Sequence, residues 1–307
     1  MATMEVHWNF TRPDRRFLFG LLLAVAVAIL TPSGASCQGV LQQLRDDVRA
    51  PSSDSTKEKK PKECKRRRPY NDDDEATDSF FAALMAPIVT PIFESMMVSL
   101  AAPFWGPVTL VEDNYRSPGQ FATYPYEAGL GGFMVSDLTA HEPTYPWSLR
   151  LRSEYANDFD DLSRFGGNLL WESAGRFGLD TSLDYRREAL DPQRIDDLWT
   201  GDVNLVFRFA QSERLMMRTG LGMNWLSDSV DSDFGFNFTY GGDWFPRKPW
   251  VISSTIDWGT LGHAALFHGR ATVGVNYRRW EVYTGYDYYD VGGAHINGFV
   301  TGIRFWY

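Results

Sequence analysis

A strict alternation of large apolar residues with small or charged ones runs through the second half of this chain, from about residue 146 to residue 307, and it restricts the fold more than any other feature. Trp147, Leu149, Leu151 and Tyr155 fall on one side of a ribbon, with Ser148, Arg150, Arg152 and Glu154 on the other. Phe177, Leu179, Leu183 and Tyr185 oppose Asp180, Ser182, Asp184 and Arg186. Val203, Leu205, Phe207 and Phe209 oppose Asp202, Asn204 and Arg208; Leu215, Met217, Leu221, Met223 and Trp225 oppose Arg218, Gly220, Gly222 and Asn224. Phe234, Phe236, Phe238 and Tyr240 continue the pattern. A period of two belongs to a β-strand; a helix, with 3.6 residues per turn, cannot present such a face.

Alternation alone means a two-faced sheet, soluble or not. The sizes of the two faces separate the cases. The apolar face is built from Leu, Val, Phe, Trp and Tyr, and the polar face from Gly, Ser, Thr, Asn, Asp and Arg. A soluble lipocalin-like barrel would have to turn the bulky face inward and would overfill. The inverse arrangement predicts an all-β fold: an antiparallel, up-and-down transmembrane β-barrel with an apolar band outside and aromatic residues at both rims. Segments of about ten residues suffice to cross a bilayer when tilted. The inward set then includes Arg186, Asp202, Arg208, Arg218, Asp257, Arg270, Glu281 and Asp287, with Arg150, Arg152, Glu154, Asp180 and Asp184 beside them. Mixed signs in a narrow interior point to a salt-bridge network that fills the lumen; a selectivity or proton pathway is the competing reading.

Ten strands are expected, near 128–136, 146–156, 174–187, 200–210, 214–226, 233–242, 249–259, 265–277, 279–289 and 296–307. The first, "AGLGGFMVS", is glycine-rich and of unclear register. Short links are expected on the periplasmic side and longer ones outside. The long link "NDFDDLSRFGG" breaks that rule, so eight strands is the competing count.

The N-terminal part divides differently. Arg12, Arg15 and Arg16, the apolar run 17–30 and the stretch "TPSGASCQG" form the three regions of a secretory signal peptide, residues 1–36, cleaved near Ser36. Cys37 follows small residues, which makes lipidation there an option, although Gly34 stands where such signals carry an aliphatic residue. Residues 37–78 hold a basic run, "KEKKPKECKRRR", and an acidic one, "NDDDEATD", with little apolar surface, and read as a disordered charged linker. Behind an export signal the basic run suggests a solvated tether or contact with an anionic surface, not nucleic acid. Residues 79–120 are an apolar flank punctuated by Pro87, Pro91, Pro103 and Pro107, with one or two short helices; the barrel is expected over 121–307. The flank reads as packing on the periplasmic rim, with a plug or an interfacial helix pair as the alternative.

The last strand, "FVTGIRFWY", resembles the terminal strand of bacterial outer-membrane β-barrels, in which apolar residues alternate back from a terminal aromatic. Phe299, Ile303, Phe305 and Tyr307 carry the likeness, and Thr301 occupies a position usually more apolar. The resemblance implies recognition by the barrel-assembly machinery and an outer-membrane lipid environment.

Catalysis finds little support. His263, His268 and His295 invite it, and outer-membrane proteases of ten strands use Asp pairs with an Asp–His pair. Asp160–Asp161 and Asp196–Asp197 are such pairs, but no Asp-His dipeptide occurs. A lipid-modifying enzyme would need a Ser–His pair on a rim, for which Ser253 and His268 are candidates. No catalytic or cofactor-binding motif is present. Only Cys37 and Cys64 occur, both before the barrel, which leaves no Cys-ligated metal within it. The expectation is a non-enzymatic outer-membrane barrel with a structural, interaction or small-solute role and no cofactor. The alternatives are a rim-active hydrolase or acyltransferase, a small pore, or a soluble periplasmic barrel. Oligomeric state stays open.

Overall fold

The structure, a computed structural model, describes residues 39–50, 103–104, 106–111, 119–135, 143–158, 162–191 and 194–307. Residues 1–36, expected as a signal peptide, Cys37, Asp160–Asp161 and most of the charged and apolar stretches between 51 and 118 lie outside them. The described chain begins with a helix, α1 (Val40–Arg49), followed by two short paired strands, β1 (Gln120–Phe121) and β2 (Met134–Val135). Ten long strands follow: β3 (Trp147–Asn157), β4 (Leu162–Ser173), β5 (Phe177–Asp191), β6 (Arg194–Gln211), β7 (Leu215–Ser227), β8 (Ser232–Arg247), β9 (Trp250–Leu261), β10 (Ala264–Tyr277), β11 (Trp280–Val291) and β12 (Ala294–Trp306).

Each long strand pairs antiparallel with its sequence neighbours, and β12 returns to pair with β3, from Phe299 opposite Asn157 to Trp306 opposite Arg150. The result is a closed, up-and-down barrel of ten strands with no free edge. The strands run 11 to 18 residues, enough to cross a bilayer at the usual tilt. The rim where β3 begins and β12 ends is called here the near rim, and the opposite one the far rim.

The two faces are inverted relative to a soluble protein. Leu205 is 62% exposed, Val282 61% and Leu221 57%, whereas Arg208 and Glu281 are fully buried. Aromatic residues flank the outer aliphatic band, with Trp250, Tyr277 and Trp280 by the near rim and Trp199, Trp258 and Phe267 by the far rim. An apolar band with aromatic girdles around a polar interior is the distribution of a transmembrane β-barrel. It is the opposite of a soluble lipocalin-like barrel, and that alternative falls.

The strand count of ten agrees with expectation, but its membership does not. Of the expected strand 128–136, the described residues 128–135 form no barrel strand; Glu127–Gly129 is a 3₁₀ turn and Met134–Val135 is β2. The tenth member is β4, whose first part lies in "NDFDDLSRFGG", read from sequence as a link. The barrel therefore starts at Trp147 and not at 121. The links at the two rims are also more alike than expected. Four residues join β7 to β8 (228–231) and two join β9 to β10 and β11 to β12, while near-rim turns have two or three. What read as a long polar link after β5 is strand: β5 and β6 run on as a hairpin beyond their neighbours.

Candidate functional site

The lumen is the candidate site, and it is built in three storeys. At the far rim, α1 closes the mouth. Leu41, Leu44 and Val48 recur at helical spacing on one face and are fully buried, while Gln42 and Asp46 stay outside. The buried face packs on inward residues of the rim, among them Leu162, Leu198, Leu226, Leu261 and Val291. Helix α1 lies inside the stretch read from sequence as disordered linker, which is a correction to that reading. The barrel supplies what the helix lacks. Gly39 offers no side-chain cap, and the Glu188 carboxylate of β5 accepts the N–H groups of Val40 at 2.8 Å and Leu41 at 2.9 Å. At the other end Arg49 pairs with Asp228 and Asp233, and Arg45 with Asp196 and Asp228. Gly262, in the left-handed region at φ 55°, turns the chain under Val48, whose carbonyl would lie 2.5 Å from any Cβ there.

Arg45, Arg49 and Asp228 lie outside the membrane-spanning strands, and their charges are mutually supported. The hydrogen bond to Asp196 raises the Arg45 pKa, and the bond to Asp228 raises that of Arg49. Burial pushes the Asp228 carboxyl up. Arg49 and the backbone N–H groups of Asp231 and Val230 outweigh burial and hold it below the ordinary carboxylate range.

The middle storey is ionic. Arg164 sits between Glu154 at 2.9 Å, Asp184 at 3.1 Å and Asp287 at 3.3 Å. Arg270 reaches Asp287 at 2.6 Å and Glu154 at 3.0 Å, and the Tyr283 hydroxyl donates to Glu154 at 2.7 Å. Arg208 donates to Glu172 at 3.0 Å, Arg304 to Glu281 at 2.5 Å, and Arg218 to Asp243. Arg186 stacks on the Tyr289 ring, 4.3 Å from its centroid. His268 is held between Asp257 at 2.9 Å and Asp287 at 3.0 Å. Asp202 accepts from Ser182 and Asn204. A cavity of about 40 Å³ remains beside Asp180, Asp202, Asp257 and His268, which is room for ordered water.

All eight lumen residues expected from sequence are thus inside, but not as one chain of contacts. Arg186, Arg270, Asp287 and Asp257 gather on the far-rim side around His268. Arg208, Arg218 and Glu281 join a second cluster nearer the other rim, linked through Glu172, Asp243, Ser253 and Arg304. Arg164, Glu172, Asp243 and Arg304 were missed. The first two lie in the unread strand β4, and Asp243 lies one residue past the expected end of its strand. The parity of the last strand did contain the signal for Arg304, because Ile303 and Phe305 point outward.

The third storey closes the near rim. Phe121, Tyr126, Phe133 and Met134 pack on Met216, Phe245, Val251 and Trp306. The backbone is stitched to the rim turns: Gly119 N–H donates to the Ala174 carbonyl at 3.0 Å and Phe133 N–H to that of Glu213 at 3.1 Å. A Cβ at Gly132 would fall 1.8 Å from the Glu213 carbonyl oxygen, so only glycine allows this approach. The Tyr126 hydroxyl donates to the Trp250 carbonyl at 2.5 Å, and burial pushes its pKa to about 12.

The rim enzyme candidates do not assemble. Ser253 pairs in register with Thr272, and His268 with Asp257, which separates the two by four residues along the sheet, roughly 13 Å. Ser253 instead donates to Asp243 at 2.6 Å. Asp196 is occupied by Arg45, and the Asp197 carbonyl also accepts from Arg45. His263 sits in the β9–β10 turn, and His295 lies near Asp290 and Tyr288 on the surface. Among the described residues no group of His, Cys, Asp and Glu is arranged to hold a metal ion.

No protein-family model matches the chain, and no curated protein does. Among solved structures it is similar to the outer-membrane protein Ail of Yersinia pestis in a phospholipid nanodisc. Identity is 13%, the TM-score 0.30, and the match covers 52% of this chain and 99% of that one. It is also similar to the N-terminal β-barrel domain of Pseudomonas aeruginosa OprF, at 10% identity and a TM-score of 0.25, over 52% of this chain and 97% of that one. A crystal structure of Ail gives 13% identity and a TM-score of 0.25, over 52% and 96%.

Proposed function

We propose that this protein is a non-conducting barrel of the bacterial outer membrane, a closed scaffold whose role is structural or interactive and not transport. The observation that carries the reading is the triple closure of the lumen. An apolar helix seat, an ionic core and an apolar near-rim floor lie in series along one axis. Opening any one of them leaves two. A channel of this width needs a continuous wet path, and the ion pairs spanning the interior leave none. Export by the N-terminal signal and assembly through the terminal strand, with Phe299, Ile303 and Tyr307 on the outer surface, fit the outer membrane. That location places the far rim, with α1, on the cell exterior.

Swelling of protein-loaded liposomes in isotonic arabinose and glycine tests this. The protein should leave the swelling rate at that of protein-free vesicles. Swelling that scales with protein content would replace the scaffold with a small-solute pore.

A further inference from the structure

Two closures of one barrel are joined by one stretch of chain. Helix α1 ends at Ala50 on the far rim, and the near-rim floor begins at Gly119. The connection must pass from one rim to the other, and the lumen between them is filled by the ionic storey. We propose that the chain between these points crosses the membrane outside the barrel, along the outer wall at β6 and β8 where Phe104 is seated.

Three observations support this route. The first is composition: residues 79–111 contain a single charge, Glu94, between a strongly charged stretch before them and Glu112–Asp113 after. A run of 33 residues is ample for a hydrocarbon core of about 30 Å even when broken by proline.

The second is a contact at membrane depth. Phe104 packs edge-on against Phe209 of β6 at 5.5 Å and Tyr240 of β8 at 5.7 Å between ring centres. Both belong to the outward face. Tyr240 is the ninth of sixteen residues in β8, and Phe209 stands two residues before the near-rim end of β6, so the contact lies within the strands on the near-rim half of the wall. Phe209 is 5% exposed where Leu205 of the same strand is 62% exposed, so something covers the wall there.

The third is a hydrogen bond of the kind lipid demands. Residues 103–104 and 106–111 are helical. The carbonyl of Pro103 would normally accept the N–H of residue 107, but residue 107 is proline and has none. The Tyr240 hydroxyl, projecting from the wall, donates to that carbonyl at 2.7 Å. A backbone acceptor freed by proline is tolerated at membrane depth only when a neighbour satisfies it, and Tyr240 is that neighbour.

The crossing puts Cys64 on the far-rim side and residue 117 on the near-rim side. Labelling with a membrane-impermeant maleimide, on intact cells and after outer-membrane permeabilisation, reads this directly. Cys64 is scored as the signal lost in Cys64→Ser. Ser117→Cys is placed in that Cys64→Ser background, as are His263→Cys and Arg279→Cys, which mark the far-rim and near-rim turns. Heat-modifiable migration confirms that each variant is a folded barrel. Cys64 should label from the same side as His263→Cys, and Ser117→Cys from the same side as Arg279→Cys. Cys64 and Ser117→Cys labelling from one side, with the two turn markers on opposite sides, overturns the crossing and leaves the barrel reading intact. Both turn markers on one side would overturn the spanning barrel and the crossing together.

Discussion

Arg150 of β3 and Asp243 of β8 meet at 2.7 Å, although the two strands stand five places apart around a ring of ten. They are diametrically opposed, so this ion pair spans the full width of the barrel. The lumen is therefore not an empty tube with charged walls. Its side chains join across the axis, and the barrel is braced from within.

Asp243 is the shared acceptor of that brace, because Arg218 and Ser253 also donate to it. Asp243→Asn should destabilise the folded barrel by about 3–5 kcal/mol, since it strands two buried guanidinium groups. Urea unfolding in lipid vesicles measures this. Loss below about 1 kcal/mol would mean that water solvates the two guanidinium groups well enough to make Asp243 dispensable.

Leu221, level with Leu205 and Phe238, lies on the lipid face in mid-strand. Leu221→Arg should cost about 2–4 kcal/mol, and Leu221→Phe far less. Equal tolerance of both in the same unfolding assay would place that face in water.

The terminal strand carries two roles that mutation can separate. Trp306 points inward, donates to Glu281 at 3.0 Å and packs on Phe133 at 4.9 Å. Tyr307 lies against the Trp147 ring at 5.1 Å, facing outward. Trp306→Ala should lower stability by about 3–5 kcal/mol. Tyr307→Ala should slow insertion in cells while leaving the stability of the refolded protein nearly intact. A Tyr307→Ala protein that inserts at the wild-type rate would remove the assembly role.

The α1 seat should weaken in acid. The Asp228 carboxyl is held below its unfolded value of about 3.9, so its contribution is complete above that pH and is lost as pH falls through the lower folded value. A spin label at Gln42→Cys, on the exposed face of α1, should be immobile at pH 7 and gain mobility below about pH 4. Unchanged spectra to pH 2 would mean that the apolar contacts alone hold the helix. Asp228→Asn should remove this acid step and leave the label more mobile already at pH 7.

Much of this was legible in the sequence because a two-residue period fixes both the strand and the side each residue faces. Arg208 inside and Leu205 outside follow from parity alone. The errors have local causes. Strand β4 was hidden because Gly166–Gly167 and the preceding Asp and Ser residues carry turn chemistry, although Phe165, Leu169 and Trp171 keep the outward parity. The segment 128–136 was misread because Phe133 and Met134 are apolar for a different reason: they pack down onto the near-rim floor. Helix α1 was missed because Leu41, Leu44 and Val48 form a single stripe of eight residues in a ten-residue helix, too short to stand out. Its capping partner, Glu188, is 147 residues from Leu41. Pairings across the lumen, such as Arg150 with Asp243, depend on strand order and stagger, which no local pattern encodes.

Single-channel recording in planar bilayers tests the closed lumen most directly, using the wild-type protein and a variant lacking residues 39–50. The account predicts near silence for both, because the ionic storey and the near-rim floor remain after α1 is removed. Stable, porin-like conductance steps from the wild type would contradict it.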